Sequence, residues 1–243
     1  MKTGYMHHAL LAPAMALGLI VAASALPASA QTPASVGKIA LRDQSNLSLR
    51  LAAERGLRAM TLEMARGHVA SAKLPSGFPI PVATYGDLRT LSVGVGFEVN
   101  TIDPAALMYA TRDADLSRIA RGTDAWKFFI LADGKPVALL DVAKVDGAWQ
   151  VIGAGSSNLA ADLAATAPMT GDGSFRFVRI YQATSDLVEV RGAGGGSRFL
   201  PMRSAQHALS ISATSAKNQA LSSESLLPAL QTAVRGNLQR GQR

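Results

Sequence analysis

The sequence predicts an α+β fold. An antiparallel sheet of about six to seven strands, built from meanders and hairpins, packs against an N-terminal helix and a short central helix. Two Asp-Gly pairs, at 133–134 and 146–147, lie between apolar runs rich in strand-forming residues. Asp-Gly supplies the positive φ angles that tight hairpin turns need. The strand-like runs also follow one another around isolated helices, whereas a parallel α/β sheet would alternate strand and helix.

The first predicted element is a helix that begins at Asn46 and ends near Gly67. Its apolar residues recur at helical spacing and so share one face. They are Leu49, Ala53, Leu57, Met60 and Met64. The proline-rich segment that follows, residues 73–82, is predicted to be an extended connector because proline disrupts helices and central strands.

Strands are predicted over the segments 91–99, 126–132, 136–145, 148–152, 174–183, 187–191 and 198–204. In the first segment, strict alternation places the apolar residues from Leu91 to Val99 on one face, and Gly94 and Gly96 indicate a bulge or a close backbone approach. Asp103 is predicted to cap a helix that begins at Pro104. Asp113 and Asp115 form an Asp-x-Asp pair that can hold a metal, but helix capping explains it better.

The central helix is predicted over residues 156–166, with Leu159 and Leu163 facing inward. From residue 204 the chain is rich in Ser, Ala and Gln, which predicts a tail with one helix over about 222–238. The predicted organisation is a signal peptide over 1–30, a flexible N-terminus over 31–40, a single domain over 41–203 and the tail over 204–243. A helix wrapped by such a sheet is similar, as a layout alone, to cystatin-like architectures.

The first thirty residues predict export. Lys2 precedes an apolar run, and Ala28-Ser29-Ala30 matches the small-residue pattern that signal peptidase reads, so cleavage is predicted between Ala30 and Gln31. An uncleaved membrane anchor is the alternative, because the apolar run is close to spanning length. The cleavage pattern directly after the run favours a periplasmic or secreted protein with no transmembrane segment after cleavage.

The composition is that of a globular protein held by a hydrophobic core. The chain is 48% hydrophobic and 17% charged and contains no cysteine, so disulfides do not stabilise it. The net charge of +7 suits anionic partners such as phospholipid head groups, glycans or acidic protein faces. A general arginine-rich bias is the favoured explanation of the charge, since no dense Lys/Arg run occurs. Nucleic acid is excluded as a predicted partner because no basic patch is interleaved with aromatic residues.

The stretch Val151 to Leu163, "VIGAGSSNLAADL", has the look of a phosphate-binding loop. A dinucleotide-binding fingerprint needs glycine where Asn158 stands, and it belongs between parallel strands. The preceding strand leaves an Asp-Gly hairpin and is therefore antiparallel to its neighbour. The stretch is predicted to be a glycine-rich turn that leads from the sheet into a capped helix.

The residue inventory predicts no metal site, cofactor or catalytic group. After residue 30 the only histidines are His68 and His207, and neither a paired-histidine spacing nor a cysteine is present. A Gly-x-Ser-x-Gly nucleophile motif is also absent. Two acidic residues distant in sequence leave no signature, so a carboxylate pair of the glycosidase kind stays open, with Glu98, Asp141 and Glu189 on predicted strands.

The candidate ligand or partner surface is positive and aromatic. It comprises Arg176, Arg179, Tyr181, Arg191, Arg198, Trp126 and Trp149. Alternation puts Arg176 and Arg179 on opposite faces, and arginines scattered over the wet face of a sheet are the alternative interpretation. The two tryptophans adjoin predicted strand starts, where this residue commonly anchors a core.

Two functions are consistent with these features. The first is an exported, non-catalytic binding or accessory protein of the bacterial cell envelope, which acts on a protein, a peptide or an anionic glycan through the sheet or through the glycine-rich hairpin tip at 192–197. The second is a hydrolase of an envelope polymer with a dispersed carboxylate pair. The absence of a recognisable catalytic motif favours the first.

Overall fold

A computed structural model describes residues 47–166, 175–191, 196–212 and 219–241. The predicted signal peptide, the predicted flexible N-terminus and most of the glycine-rich hairpin tip lie outside these ranges. The helices are α1 (Leu47–Met64), α2 (Pro104–Tyr109), α3 (Leu116–Ile119), α4 (Ser157–Thr166), α5 (Arg203–Ala208) and α6 (Ser223–Gly241). The strands are β1 (Ser92–Ile102), β2 (Ala120–Ala132), β3 (Lys135–Val145), β4 (Ala148–Gly155), β5 (Arg176–Ile180), β6 (Ser185–Arg191) and β7 (Ser197–Pro201).

The α+β class is confirmed, with one correction to the sheet. The seven strands form a single sheet in the order β4-β3-β2-β1-β5-β6-β7. Neighbouring strands are antiparallel everywhere except at the centre, where β1 and β5 run parallel. The sheet is therefore mixed rather than purely antiparallel, because the chain crosses from β4 through α4 to the far side of β1 before it starts the second hairpin set.

Both Asp-Gly hairpins are confirmed. Asp133 and Gly134 have φ angles of 48° and 73°, and Asp146 and Gly147 have φ angles of 51° and 80°. Positive φ at both central residues is the requirement of the tight hairpin turn. The predicted glycine-rich turn after β4, however, is strand: Gly153, Ala154 and Gly155 pair with residues of β3. The chain turns at Ser156, which has a φ of 55°, and α4 begins at the next residue.

The caps and the bulge are also where the sequence places them. Asp103 accepts a hydrogen bond from the Ala106 backbone N–H at 2.9 Å, and Asp115 caps α3 through the Ser117 backbone N–H at 2.9 Å. The pairing of β1 with β2 shifts register between Val93 and Gly96. A Cβ on Gly96 would lie 2.4 Å from the Phe128 ring, so this position needs glycine.

That bulge overturns the prediction that every apolar residue of 91–99 shares one face. Leu91 and Val93 pack with α1, whereas Phe97 and Val99 pack in the cluster that contains α4. The extra residue in β1 reverses the alternation, as a one-residue slip does in any strand.

Two faces of the sheet are covered by different helices. The α4 face carries Phe97, Phe129, Phe177 and the buried Leu163 of α4 itself. On the other face, called here the outer face, α1 covers the β1–β4 half and α6 covers the β5–β7 half. Gly96 of β1 lies against Phe128 in the cluster beneath α1, and Ile102 of β1 lies in the cluster beneath α6. Phe97 and Val99, between them, lie in the cluster of the α4 face. The two outer clusters are therefore assigned to one face.

The sheet curves around α4. This helix packs on β3, and its Asp162 carboxylate lies 3.0 Å from the Arg203 guanidinium, directly after β7. Four strands separate β3 from β7 in the sheet order. Five strand spacings would span about 24 Å in a flat sheet, more than twice the width of a helix. Because α4 contacts both β3 and Arg203, which follows β7, we infer that the sheet curves around this helix.

The core continues past the predicted domain boundary at residue 203. The predicted C-terminal helix is present as α6, and its Leu226, Leu227, Leu230 and Val234 are almost completely buried. They pack with β5, β6, α2 and α3. Residues 219–241 are thus part of the domain.

Candidate ligand-binding cleft

The arginines of the predicted surface lie on opposite faces of the sheet, as alternation predicts. On the outer face, Arg176 Nε donates to Glu189 Oε2 at 2.5 Å and Arg176 Nη2 donates to the Ser117 carbonyl oxygen at 2.6 Å. On the α4 face, Arg179 binds Asp186. The carboxylates stand directly opposite the arginines on β6. The short connection at 181–184 fixes the register between β5 and β6. The partner of each arginine follows from that register.

Arg179 is the more firmly held of the two. Its Nε and Nη2 donate to Asp186 Oδ1 and Oδ2 at 2.6 and 2.8 Å, and the Ser204 hydroxyl donates to Asp186 Oδ2 at 3.0 Å. The hydrogen bonds to Asp186 raise the pKa of the Arg179 guanidinium above its ordinary value, despite the opposing effect of burial. The Arg179 guanidinium is therefore held in place by Asp186, and its charge is already neutralised.

The remaining predicted residues do not form one patch. Tyr181 is 55% exposed, and its ring lies 6.0 Å from the Arg179 guanidinium. Arg198 is exposed on β7 at the other end of the hairpin, opposite Val190. Arg191 ends β6, and its side chain is outside the described part of the structure. Among the side chains of this set that the structure describes, Arg179 and Tyr181 are the two brought into contact.

Trp126 and Trp149 serve the core. Both are half-buried and pack with the cluster beneath α1, and the Trp126 ring lies 6.5 Å from that of Phe128. The Lys144 ammonium lies 4.9 Å from the centre of the Trp149 ring and covers its wet side. Both tryptophans thus contact the apolar cluster beneath α1 from its margin.

A cleft of about 820 Å³ opens where α4, the β5–β6 connection, α5 and α6 meet. Its apolar floor consists of Leu159, Ala183, Met202, Ala208 and Ala233. Its polar residues are Ser156, Asn158, Asp162, Thr184, Asp186, Arg203, Ser204, His207, Asn237 and Arg240. The curvature of the sheet creates the cleft, because it places α4 opposite α5.

The charges in the cleft are not balanced. Asp162 accepts from the Arg203 guanidinium at 3.0 Å and from the Arg203 backbone N–H at 3.3 Å. Asp186 is neutralised by Arg179. Arg240 and His207 make no ion pair with any other residue in the described ranges. After each carboxylate is matched with its arginine, the cleft retains positive charge.

Sequence reasoning did not find this cleft. Asn158, Asp162, His207, Asn237 and Arg240 come from three separate helices, and no spacing in the sequence links them. The one local indication is that Asn237 and Arg240 are three residues apart on a helix and so share a face. Where the helices meet depends on the curvature of the sheet, which no local pattern encodes.

A second pair of acidic residues lies on the outer face. Burial raises the pKa of the Glu98 carboxyl above that of an exposed glutamate, and the negative charge of Asp124 raises it further. Asp124 itself is exposed and lies 3.5 Å from the Lys144 ammonium. Both effects disfavour the ionised form of the Glu98 carboxyl group.

We expect Glu98→Gln to stabilise the protein near neutral pH and to leave its stability unchanged in acid. The folded state holds the Glu98 proton more tightly than the unfolded state does, so stability falls as pH rises above the unfolded pKa, and glutamine removes this loss. Melting temperatures between about pH 4 and pH 8 test the expectation. Glu63→Gln, at an exposed position of α1, is the control, and a gain that does not change with pH would contradict it.

Neither a metal site nor a membrane-spanning helix is found in the described part of the chain. No three His, Cys, Asp or Glu side chains there are grouped so that they could hold a metal ion. No helix within the same ranges is both long and apolar enough to cross a membrane. Comparisons with protein-family models, with curated proteins and with solved structures find no match to this chain.

Proposed function

We propose that the protein is an exported, non-catalytic binding or accessory protein of the bacterial cell envelope, and that its ligand occupies the cleft. The observation that carries the proposal is the cleft itself. A concave cleft of about 820 Å³ that combines an apolar floor with convergent polar groups has the size of sites that bind small molecules, although its lining is more polar than is usual for them. The Ala28-Ser29-Ala30 pattern supports export.

The chemistry of the cleft favours binding over hydrolysis. A carboxylate pair that cleaves a glycosidic bond needs one protonated member as general acid. Both Asp162 and Asp186 are ion-paired with arginine, which stabilises the ionised form of a carboxyl group. The described lining also contains no serine–histidine pair joined by a hydrogen bond. The curvature of the sheet around α4 supports a cystatin-like layout, which is part of this proposal.

The test compares three forms of the mature protein after incubation with envelope extract. Ala233→Trp places a large side chain in the cleft, while Thr232→Trp places the same side chain on the exposed surface of the same helix. Each form is re-isolated and denatured, and the released small molecules are identified by mass spectrometry. We expect one compound to be retained by the wild type and by Thr232→Trp and to be absent from Ala233→Trp.

Two results would contradict the proposal. Equal retention by all three forms would place binding elsewhere, and conversion of the compound to a product would show catalysis. Circular dichroism confirms that each variant is folded. If Ala233→Trp does not fold, Ala208→Trp fills the same cleft from α5.

A second candidate function is hydrolysis of an envelope polymer, and the Glu98–Asp124 pair favours it. Burial and the nearby Asp124 raise the pKa of the Glu98 carboxyl, and a raised pKa is what a general acid of this reaction needs. If this function holds, Glu98→Gln abolishes release of soluble fragments from purified envelope polymer, while Ala233→Trp does not. Absence of fragments with the wild type would exclude it.

A further inference from the structure

We infer that the cleft selects an amphiphilic small molecule with one anionic head group, a carboxylate or a phosphate. The inference rests on the proposed binding function and specifies its ligand. The head group binds at Arg240, and the apolar body lies on the floor formed around Leu159, Met202 and Ala233.

The first argument is charge. Of the two arginines that line the cleft, Arg203 is already paired with Asp162, whereas Arg240 has no carboxylate partner in the described ranges. A ligand cation would meet this surplus of positive charge, while an anion would neutralise it. Interactions of arginine with carboxylate or phosphate are among the stronger hydrogen bonds in proteins.

The second argument is the orientation of Arg240. The Asn237 side-chain amide donates to the Gln182 carbonyl oxygen at 2.6 Å, which directs its own oxygen toward Arg240. Arg240 Nη2 donates to that Asn237 oxygen. One of the five donors of the guanidinium is thereby used to position the group, and the others stay available for a ligand. Less side-chain entropy is lost on binding when the donor is held in place beforehand.

The third argument is the floor. Its side chains carry no polar atom that could bind a polar ligand body, and Leu159 and Ala233 also pack against the core. Water above such a surface is displaced favourably by an alkyl or ring group. A free inorganic anion would use the cationic end and leave the floor wet, so the geometry favours a molecule with both parts.

The experiment measures dissociation constants for four probes with the same alkyl chain: decyl phosphate, decanoate, decanol and decylammonium. We expect both anions to bind about tenfold or more tighter than decanol, because only they can form a charge-assisted hydrogen bond with Arg240. Decylammonium should bind most weakly. The comparison of decyl phosphate with decanoate distinguishes a phospholipid-like from a fatty-acid-like ligand. A higher salt concentration should weaken the binding of the two anions and leave the affinity for decanol unchanged.

Matched variants locate the preference. Arg240→Gln should lower the preference for anions over decanol by about tenfold, and Arg235→Gln, an exposed position of the same helix outside the cleft, should not change it. Equal affinity for all four probes would overturn the anionic head group and leave the cleft as a binding site. If no probe binds, the inference that the ligand is amphiphilic is wrong. The extract experiment with Ala233→Trp then still decides whether the cleft binds a ligand at all.

Discussion

Asp141→Asn is expected to lower the free energy of unfolding by about 3–5 kcal/mol, the cost of leaving a buried charge without its partner. Lys127 and Asp141 stand opposite each other on β2 and β3 and form an ion pair on the α4 face. The Lys127 side chain is 7% exposed, whereas that of Asp141 is 33% exposed. Loss of the Asp141 charge therefore leaves the almost fully buried Lys127 ammonium without a counter-ion.

The reverse substitution is the matched control. Lys127→Met leaves Asp141, which is exposed enough to be hydrated, so we expect a smaller loss of about 1–2 kcal/mol. The double variant should be more stable than Asp141→Asn alone, because it removes the buried charge. Urea unfolding measures all three changes. Equal losses for the two single variants, or strict additivity in the double variant, would contradict a buried and coupled ion pair.

Leu230→Ala is expected to cost about 2–5 kcal/mol, as for other large-to-small substitutions in a packed core. Leu230 lies on the inner side of α6, is fully buried, and belongs to the apolar cluster with residues of β5 and β6. Leu238 lies two turns further along the same helix and is exposed, so Leu238→Ala should change stability by less than about 0.5 kcal/mol. Thermal or urea unfolding measures the difference between the two.

This pair of variants decides whether residues beyond 203 belong to the folded domain. If they formed a separate tail, both substitutions would have equally small effects. A large loss for Leu230→Ala alone confirms that α6 is part of the core and that a chain ending at residue 203 would expose its apolar surface. The matched helix position keeps helix propensity the same in both cases.

Local chemistry accounts for the parts of the fold that the sequence predicted. The Asp-Gly turns, the Asp103 and Asp115 caps and the apolar stripe of α1 each depend on neighbouring residues. The pairing of β1 with β5 does not, because it joins residues that no periodicity connects. The role of α6 was missed for a related reason: its apolar face is visible, but the surface that covers it comes from β5, β6, α2 and α3.

The candidate site shows the same division. The positions of Arg176 and Arg179 on opposite faces followed from alternation. Their pairing with Glu189 and Asp186 depends on the register of the β5–β6 hairpin and was not predicted. The cleft depends instead on the approach of α4 to α5 and α6, and hence on sheet curvature. Curvature arises from twist, bulges and packing together, so it is a property of the whole sheet.

The parallel contact between β1 and β5 has a kinetic consequence. It consists of the pairs Val99–Phe177, Asn100–Val178 and Thr101–Arg179, reinforced by a hydrogen bond of 2.8 Å from the Thr101 hydroxyl to the Arg179 carbonyl oxygen across 78 residues of chain. Such a contact pays a large loop-closure entropy, while the β2–β3–β4 hairpins close locally and fast. Because the cleft draws residues from before β5 and from after it, we expect the cleft to form late in folding. A molecule held there should therefore slow unfolding and leave the folding rate almost unchanged.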